Sequence, residues 1–88
     1  MDRIAVMEDR LRAALAPQTL TITDDSAAHA GHAGARHGAG HYAVTIVSPL
    51  FKGQTPIARH RLIYQALGEL IGPEIHALRI EALTPEEL

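Results

Sequence analysis

The sequence predicts an α+β fold, a two-layer sandwich in which both helices cover one face of a mixed three-stranded sheet. Two segments repeat apolar residues at helical spacing, and three segments have the composition and patterning of strands. These segments follow one another in the order α-β-β-α-β. A β-α-β passage makes a right-handed crossover, so the last two strands should run parallel, while the first two pair antiparallel. With 88 residues, the chain is expected to form one domain over 1–88.

The first helix and the first strand are separated by a proline. Pro17 is expected to end the helix, because the residue before a proline is pushed out of the α region. Residues 20–23 then alternate apolar and β-branched polar side chains, which indicates a strand. The apolar positions of the helix are Ile4, Met7, Leu11, Ala14 and Leu15.

The second strand follows a long segment rich in glycine, alanine and histidine. Residues 26–40 offer too little apolar surface to offset the entropy of ordering, so we expect a mobile loop. Residues 41–48 have apolar side chains at both odd and even positions, so both faces of this strand should be covered. Such a strand is expected to lie at the centre of the sheet.

The second helix begins with a polar cap and a proline. Thr55 is a candidate N-cap, and Pro56 suits the first turn. Gly72 and Pro73 are expected to end the helix. Its predicted core positions are Ala58, Leu62, Ile63, Ala66, Leu67 and Leu70, and its predicted solvent positions are Arg59, Arg61, Gln65 and Glu69. The last strand is expected over 75–82, with one face formed by His76, Leu78, Ile80 and Ala82.

Composition and charge exclude several classes of protein. A net charge of −2 gives no general attraction to nucleic acid or anionic membrane. The N-terminal segment mixes both charge signs and resembles neither a signal peptide nor a transit peptide, and no apolar stretch is long enough to span a bilayer. We therefore expect a cytoplasmic protein that does not bind membranes. It is not expected to be an enzyme, since no nucleophile–base arrangement and no phosphate-binding glycine motif is present.

Histidines are the candidate metal ligands of this chain. Four lie in or beside the glycine-rich segment, namely His29, His32, His37 and His41, and His76 opens the last strand. There is no cysteine, so any thiolate at a shared metal centre has to come from a partner. The alternative for His76 is a buried histidine bonded to backbone. For His32 and His37, a solvated loop with adventitious metal affinity is the better interpretation, and His41 is expected to pack against Tyr42 or the neighbouring strand.

The run Arg59-His60-Arg61 is a candidate surface for nucleic acid or a protein partner. The equally weighted alternative is that one arginine holds a carboxylate or a helix end, while His60 fills a gap beside the sheet. RNA-binding KH domains need a GxxG loop between two helices. Here Gly31-x-x-Gly34 lies in a predicted hairpin loop, so RNA binding of that kind is not expected.

Several blocks in fixed order resemble the BolA family over nearly the whole chain, from about residue 3 to Pro85. The blocks are Leu20-Thr21-Ile22-Thr23-Asp24-Asp25-Ser26, Ser26-Ala27-Ala28-His29, His41-Tyr42-Ala43-Val44-Thr45-Ile46-Val47-Ser48-Pro49, Phe51-x-Gly53, Arg59-His60-Arg61-Leu62-Ile63-Tyr64 and Ile75-His76-Ala77-Leu78.

The resemblance implies a class II KH-like fold and a monothiol glutaredoxin as partner. It further implies a [2Fe–2S] cluster shared between the two proteins, with a role in iron–sulfur cluster trafficking and iron regulation. His76 matches one family ligand, and His29 matches the ligand in the loop between the first two strands. The partner would supply its own thiolate and that of bound glutathione. Some family members are described as transcription regulators.

Three hypotheses about function follow from these residues and from what the resemblance implies. The first is an adaptor that binds a monothiol glutaredoxin and holds the cluster through His76 and His29. The second is a DNA-binding regulator that uses the long helix with Arg59 and Arg61. The third is a metal buffer that uses the histidine-rich loop alone. The sequence leaves open whether the protein by itself is a monomer or a weak dimer.

Overall fold

The computed structural model of the chain describes residues 2–26 and 39–88. Over these ranges the helices and strands follow the predicted order α-β-β-α-β. The elements are α1 (Arg3–Leu15), β1 (Thr19–Asp24), β2 (Gly40–Val47), α2 (Pro56–Leu67) and β3 (Ile75–Leu83). Three 3₁₀ turns lie over Pro49–Phe51, Gly68–Leu70 and Pro85–Glu87.

The helices start and stop where local chemistry requires it. The Thr55 side chain accepts the N–H of Ala58 at 3.1 Å, which confirms the predicted N-cap of α2. Ala16, before Pro17, adopts a left-handed conformation with φ of 43°, and α1 ends there. The prediction that α2 continues to Gly72 is wrong, because Gly68 has a φ of 52° and redirects the chain into a 3₁₀ turn.

The sheet has the strand order β1-β2-β3, so β2 is central as predicted. β1 and β2 are antiparallel, and β2 and β3 are parallel. Helix α2 makes the crossover that a parallel pair needs. The fold is therefore the predicted α+β sandwich with a mixed sheet.

Both helices pack on the same face of the sheet. The alternate residues Tyr42, Val44 and Ile46 of β2 lie in one buried cluster with α1 and α2. The helices contribute Met7, Leu11, Leu15, Ile63 and Leu67 to that cluster. Burying such side chains stabilises each by about 1.5–3 kcal/mol relative to exposure.

The opposite face of the sheet is more polar than the sequence suggested. Ala43 and Thr45 of β2 are only half-buried and line a shallow groove with Arg79 and Glu81 of β3. Val47 at the end of β2 is buried. In the part of the chain that the structure describes, the prediction that β2 is covered on both faces therefore fails at Ala43 and Thr45. The apolar residues on this side of β2 reflect its central position in the sheet and not a second layer along its length. No helix over these ranges is long and apolar enough to cross a membrane.

Candidate functional site

An irregularity in strand pairing defines the end of the sheet where His76 lies. Gly40 pairs with Ile75 and the next residue, His41, pairs with Ala77, so His76 is the extra residue of a bulge in β3. Ile75 is 2% exposed and joins the core, while His76 is exposed. The predicted face shared by His76 and Leu78 therefore fails at the start of the strand, because the bulge turns His76 out of the core.

His41 and His76 form a pair of imidazoles on adjacent strands. Their ring centroids lie 5.1 Å apart, and the ring planes are tilted by 52°. His41 is 7% exposed. The prediction that His41 packs against the neighbouring strand is confirmed. The residue that it contacts there is His76, the predicted metal ligand.

Backbone hydrogen bonds fix the start of β2 beside this pair. The His41 N–H donates to Ser26 Oγ at 3.1 Å, and the His41 carbonyl accepts the Asp25 N–H at 2.7 Å. The pKa of Asp24 is lowered, because the hydroxyl and the N–H of Ser26 donate to its carboxylate. The chain therefore leaves β1 and enters β2 at the same end of the sheet as His76.

The predicted mobile loop and its histidines lie outside the described residues. His29, His32 and His37 fall within 27–38, so their assignment as ligands stays a prediction. Over residues 2–26 and 39–88, no group of three or more His, Cys, Asp or Glu side chains is arranged to hold a metal ion. The described part of the site thus offers an exposed imidazole and a buried neighbour, and a metal would need further ligands.

The Arg59 side chain lies against the protein, mostly covered and hydrogen-bonded, and the prediction that it faces solvent is wrong. Its guanidinium donates to the Glu87 carboxylate at 2.6 Å, to the Ala82 carbonyl at 3.0 Å and to the Gln54 carbonyl at 2.9 Å. It also lies 5.9 Å from the ring centroid of Phe51, and its side chain is 12% exposed. The sequence left open whether Arg59 belongs to a binding surface or holds a carboxylate or a helix end. The structure shows that it holds the carboxylate of Glu87.

The other two members of the predicted surface are placed differently. His60 is half-buried and Arg61 is exposed. Arg61 is therefore the member of the run whose charge is presented to solvent, and a role of this surface in binding stays a prediction.

A cleft of about 480 Å³ beside the start of α1 was missed by sequence reasoning. Arg3 and Glu74 form an ion pair across it at 2.6 Å, and this bond, with a hydrogen bond to Tyr42, raises the pKa of Arg3. Asp2 and Asp24 also line the cleft. Arg3 and Glu74 are 71 positions apart, so no local pattern could have paired them.

Comparison with known proteins identifies the class of protein to which this chain belongs. The family model described as "BolA-like protein" matches residues 11–87, and the chain belongs to this family. BolA-like protein 1 of Mus musculus is 39% identical over 83 residues, which cover 94% of this chain and 58% of the mouse protein. The DNA-binding transcriptional regulator BolA of Escherichia coli is 37% identical over 81 residues, which cover 92% of this chain and 74% of that protein.

Solved structures of the same family share the fold. BolA1 from Arabidopsis thaliana matches with a TM-score of 0.85 and 40% identity, covering all of this chain and 97% of that one. The BolA domain of SufE1 from Arabidopsis thaliana matches with a TM-score of 0.87 and 38% identity, covering all of this chain and 98% of that one. The fold and family expected from the sequence are therefore confirmed.

Proposed function

We propose that this protein is a cytoplasmic, non-enzymatic adaptor that binds a monothiol glutaredoxin and co-ligates a bridging [2Fe–2S] cluster through His76 and His29. The observation that supports this most is the exposure of His76. A bulge presents its imidazole at the end of the sheet, while the neighbouring Ile75 anchors the same strand in the core. A partner-held cluster could reach an imidazole placed in this way.

The donor chemistry of the chain fits half of such a centre. Each iron of a [2Fe–2S] cluster needs two terminal ligands, and two imidazoles can complete one iron while thiolates complete the other. This chain has six histidines and no cysteine, so it can supply imidazole nitrogens but no thiolate. The thiolates would come from the glutaredoxin and its glutathione. The cluster would serve as cargo, and the chain's own contribution is to present the imidazoles and bind the partner.

The ligand assignment is tested by mixing the apo protein with a cluster-loaded monothiol glutaredoxin and recording visible circular dichroism. His76→Ala should abolish the spectral change that the unsubstituted protein produces, because one iron loses a ligand. Gln65→Ala is the control, since Gln65 is exposed on α2, is not a predicted ligand and lies outside the Arg59–Arg61 run, so this variant should leave the change intact. An unaltered change with His76→Ala contradicts the assignment.

The loop ligand is tested in the same mixture. His29→Ala should remove most of the spectral change, whereas His32→Ala and His37→Ala should preserve it. If one of the latter two variants removes the change and His29→Ala does not, the second ligand is reassigned to that position. Tight Zn²⁺ binding that survives His76→Ala without a partner would instead favour the metal buffer.

A second candidate function is DNA binding, as in the Escherichia coli relative named a DNA-binding transcriptional regulator. Arg61 is exposed on α2, but Arg59 is engaged with Glu87. We therefore expect any phosphate contact from this run to come from Arg61. Affinity for duplex DNA should fall steeply with salt, because phosphate contacts release counterions. Arg61→Ala should weaken binding and flatten the salt dependence, and binding indifferent to this change would reject the candidate.

A further inference from the structure

The ring of His41 has no role in the function proposed above, yet it contacts the exposed ligand of that function. His41 lies on β2, and its ring centroid is 5.1 Å from that of His76 on β3. His41 is 7% exposed, whereas His76 is exposed, so this contact joins a buried side chain to one at the surface. The buried ring is therefore placed to influence the orientation of the exposed one.

His41 is held firmly enough to act as a support. Its N–H and carbonyl are both bonded to the residues that follow β1, as described above. The preceding Gly40 donates its N–H to the Glu74 carbonyl at 3.0 Å, which ties the start of β2 to the turn before β3. The backbone of His41 is thus fixed from both neighbouring strands, whereas His76 is the extra residue of a bulge.

We propose that His41 is a positioning residue, whose ring restricts the imidazole of His76 to one rotamer and so presents it to a partner-held metal centre. Aromatic rings in a tilted arrangement at this separation attract each other beyond the effect of burial, which favours the His76 rotamer that keeps the contact. The consequence for cluster binding rests on the proposed function, but the restriction of His76 does not.

The described residues favour positioning over direct ligation by His41. The ring is buried, whereas a ligand to a centre shared between two proteins has to reach the interface. Residues that orient a metal ligand are commonly as important as the ligand, and their loss lowers metal affinity about 10- to 100-fold. His41 fits that description through its contact with His76.

The proposal is tested first in the protein without any metal. The side-chain χ1 couplings and ring relaxation of His76 are measured by NMR in the unsubstituted protein, in His41→Phe and in His41→Leu. Phenylalanine keeps a planar ring without nitrogen donors, and leucine fills similar space without a ring. We expect a single His76 rotamer in the unsubstituted protein and in His41→Phe. In His41→Leu, the His76 side chain should average over several rotamers. A single rotamer in His41→Leu overturns the proposal.

The second measurement is the affinity of each variant for cluster-loaded glutaredoxin, followed by circular dichroism. His41→Leu should lower this affinity about 10- to 100-fold, and His41→Phe should keep the affinity of the unsubstituted protein. If His41→Phe keeps the rotamer but loses affinity as His41→Leu does, His41 is a ligand and the positioning role is wrong. Failure of the proposed function can be distinguished from failure of the positioning role. In the first case, His76→Ala would still produce the spectral change on mixing with the loaded glutaredoxin, while the rotamer result in the apo protein would stand.

Discussion

At the scale of single residues, Gly40 lies beside the bulge that exposes His76 and is packed closely against Tyr42. A Cβ at this buried position would lie within 2.6 Å of Cζ in the Tyr42 ring, and that ring is itself in the core. Gly40→Ala should therefore force the ring or the strand to shift and lower the free energy of unfolding by about 1–3 kcal/mol. Urea denaturation measures this change.

The control for Gly40→Ala is the same substitution beside a smaller side chain. In a Tyr42→Leu background the ring is absent, so Gly40→Ala should cost less than in the unsubstituted protein. Neighbouring substitutions that share a contact are expected to be non-additive. Equal costs in the two backgrounds would show that the Tyr42 ring does not explain the glycine.

At the scale of elements, Arg59 joins α2 to the end of β3 and to the last 3₁₀ turn. Its pairing with Glu87, together with the Thr84 N–H, lowers the pKa of Glu87 to about 2 from an ordinary 4.5. The unfolded chain therefore binds the proton more readily. The pair stabilises the fold fully above about pH 4.5, and that contribution is lost as the pH falls toward 2.

Glu87→Gln should accordingly destabilise the protein near neutral pH and have little effect near pH 2, as measured by thermal or urea unfolding across this range. Glu69→Gln is the matched control. Glu69 also has a pKa lowered to about 2 by an arginine, but that partner, Arg10, is more exposed than Arg59 at 33% against 12%. Exposed ion pairs contribute little, so Glu69→Gln should have the smaller effect. The opposite ranking would contradict the role given to Arg59.

The elements and their order were predictable because each depends on local patterns. Thr55-Pro56 identified the start of α2, and the doubly apolar run of β2 identified the central strand. The bulge at His76 was not predictable, since a one-residue shift in pairing leaves the alternation of Leu78 and Ile80 intact. Nor was the burial of Arg59, because its partner Glu87 lies 28 positions away and meets it only in the folded chain.

At the scale of the whole molecule, stability is concentrated in β2. This strand pairs on both sides and contributes three residues to the core, whereas β1 pairs on one side and its Leu20 and Ile22 are half-buried. The proposed site lies where β2 and β3 begin. The exposed His76 is therefore next to the central strand of the sheet.

This distribution predicts a gradient in amide hydrogen exchange. The amides of Val44 and Ile46 should exchange only through global unfolding, with a protection free energy equal to that from urea denaturation. In the edge strand β1, the amides of Thr21 and Thr23 lie at the positions that hydrogen-bond to β2, and they should exchange through smaller openings and show weaker urea dependence. NMR-detected exchange at several sub-denaturing urea concentrations separates the two cases. Equal protection and equal urea dependence in both strands would mean that β1 opens only with the whole fold, and the predicted gradient would be wrong.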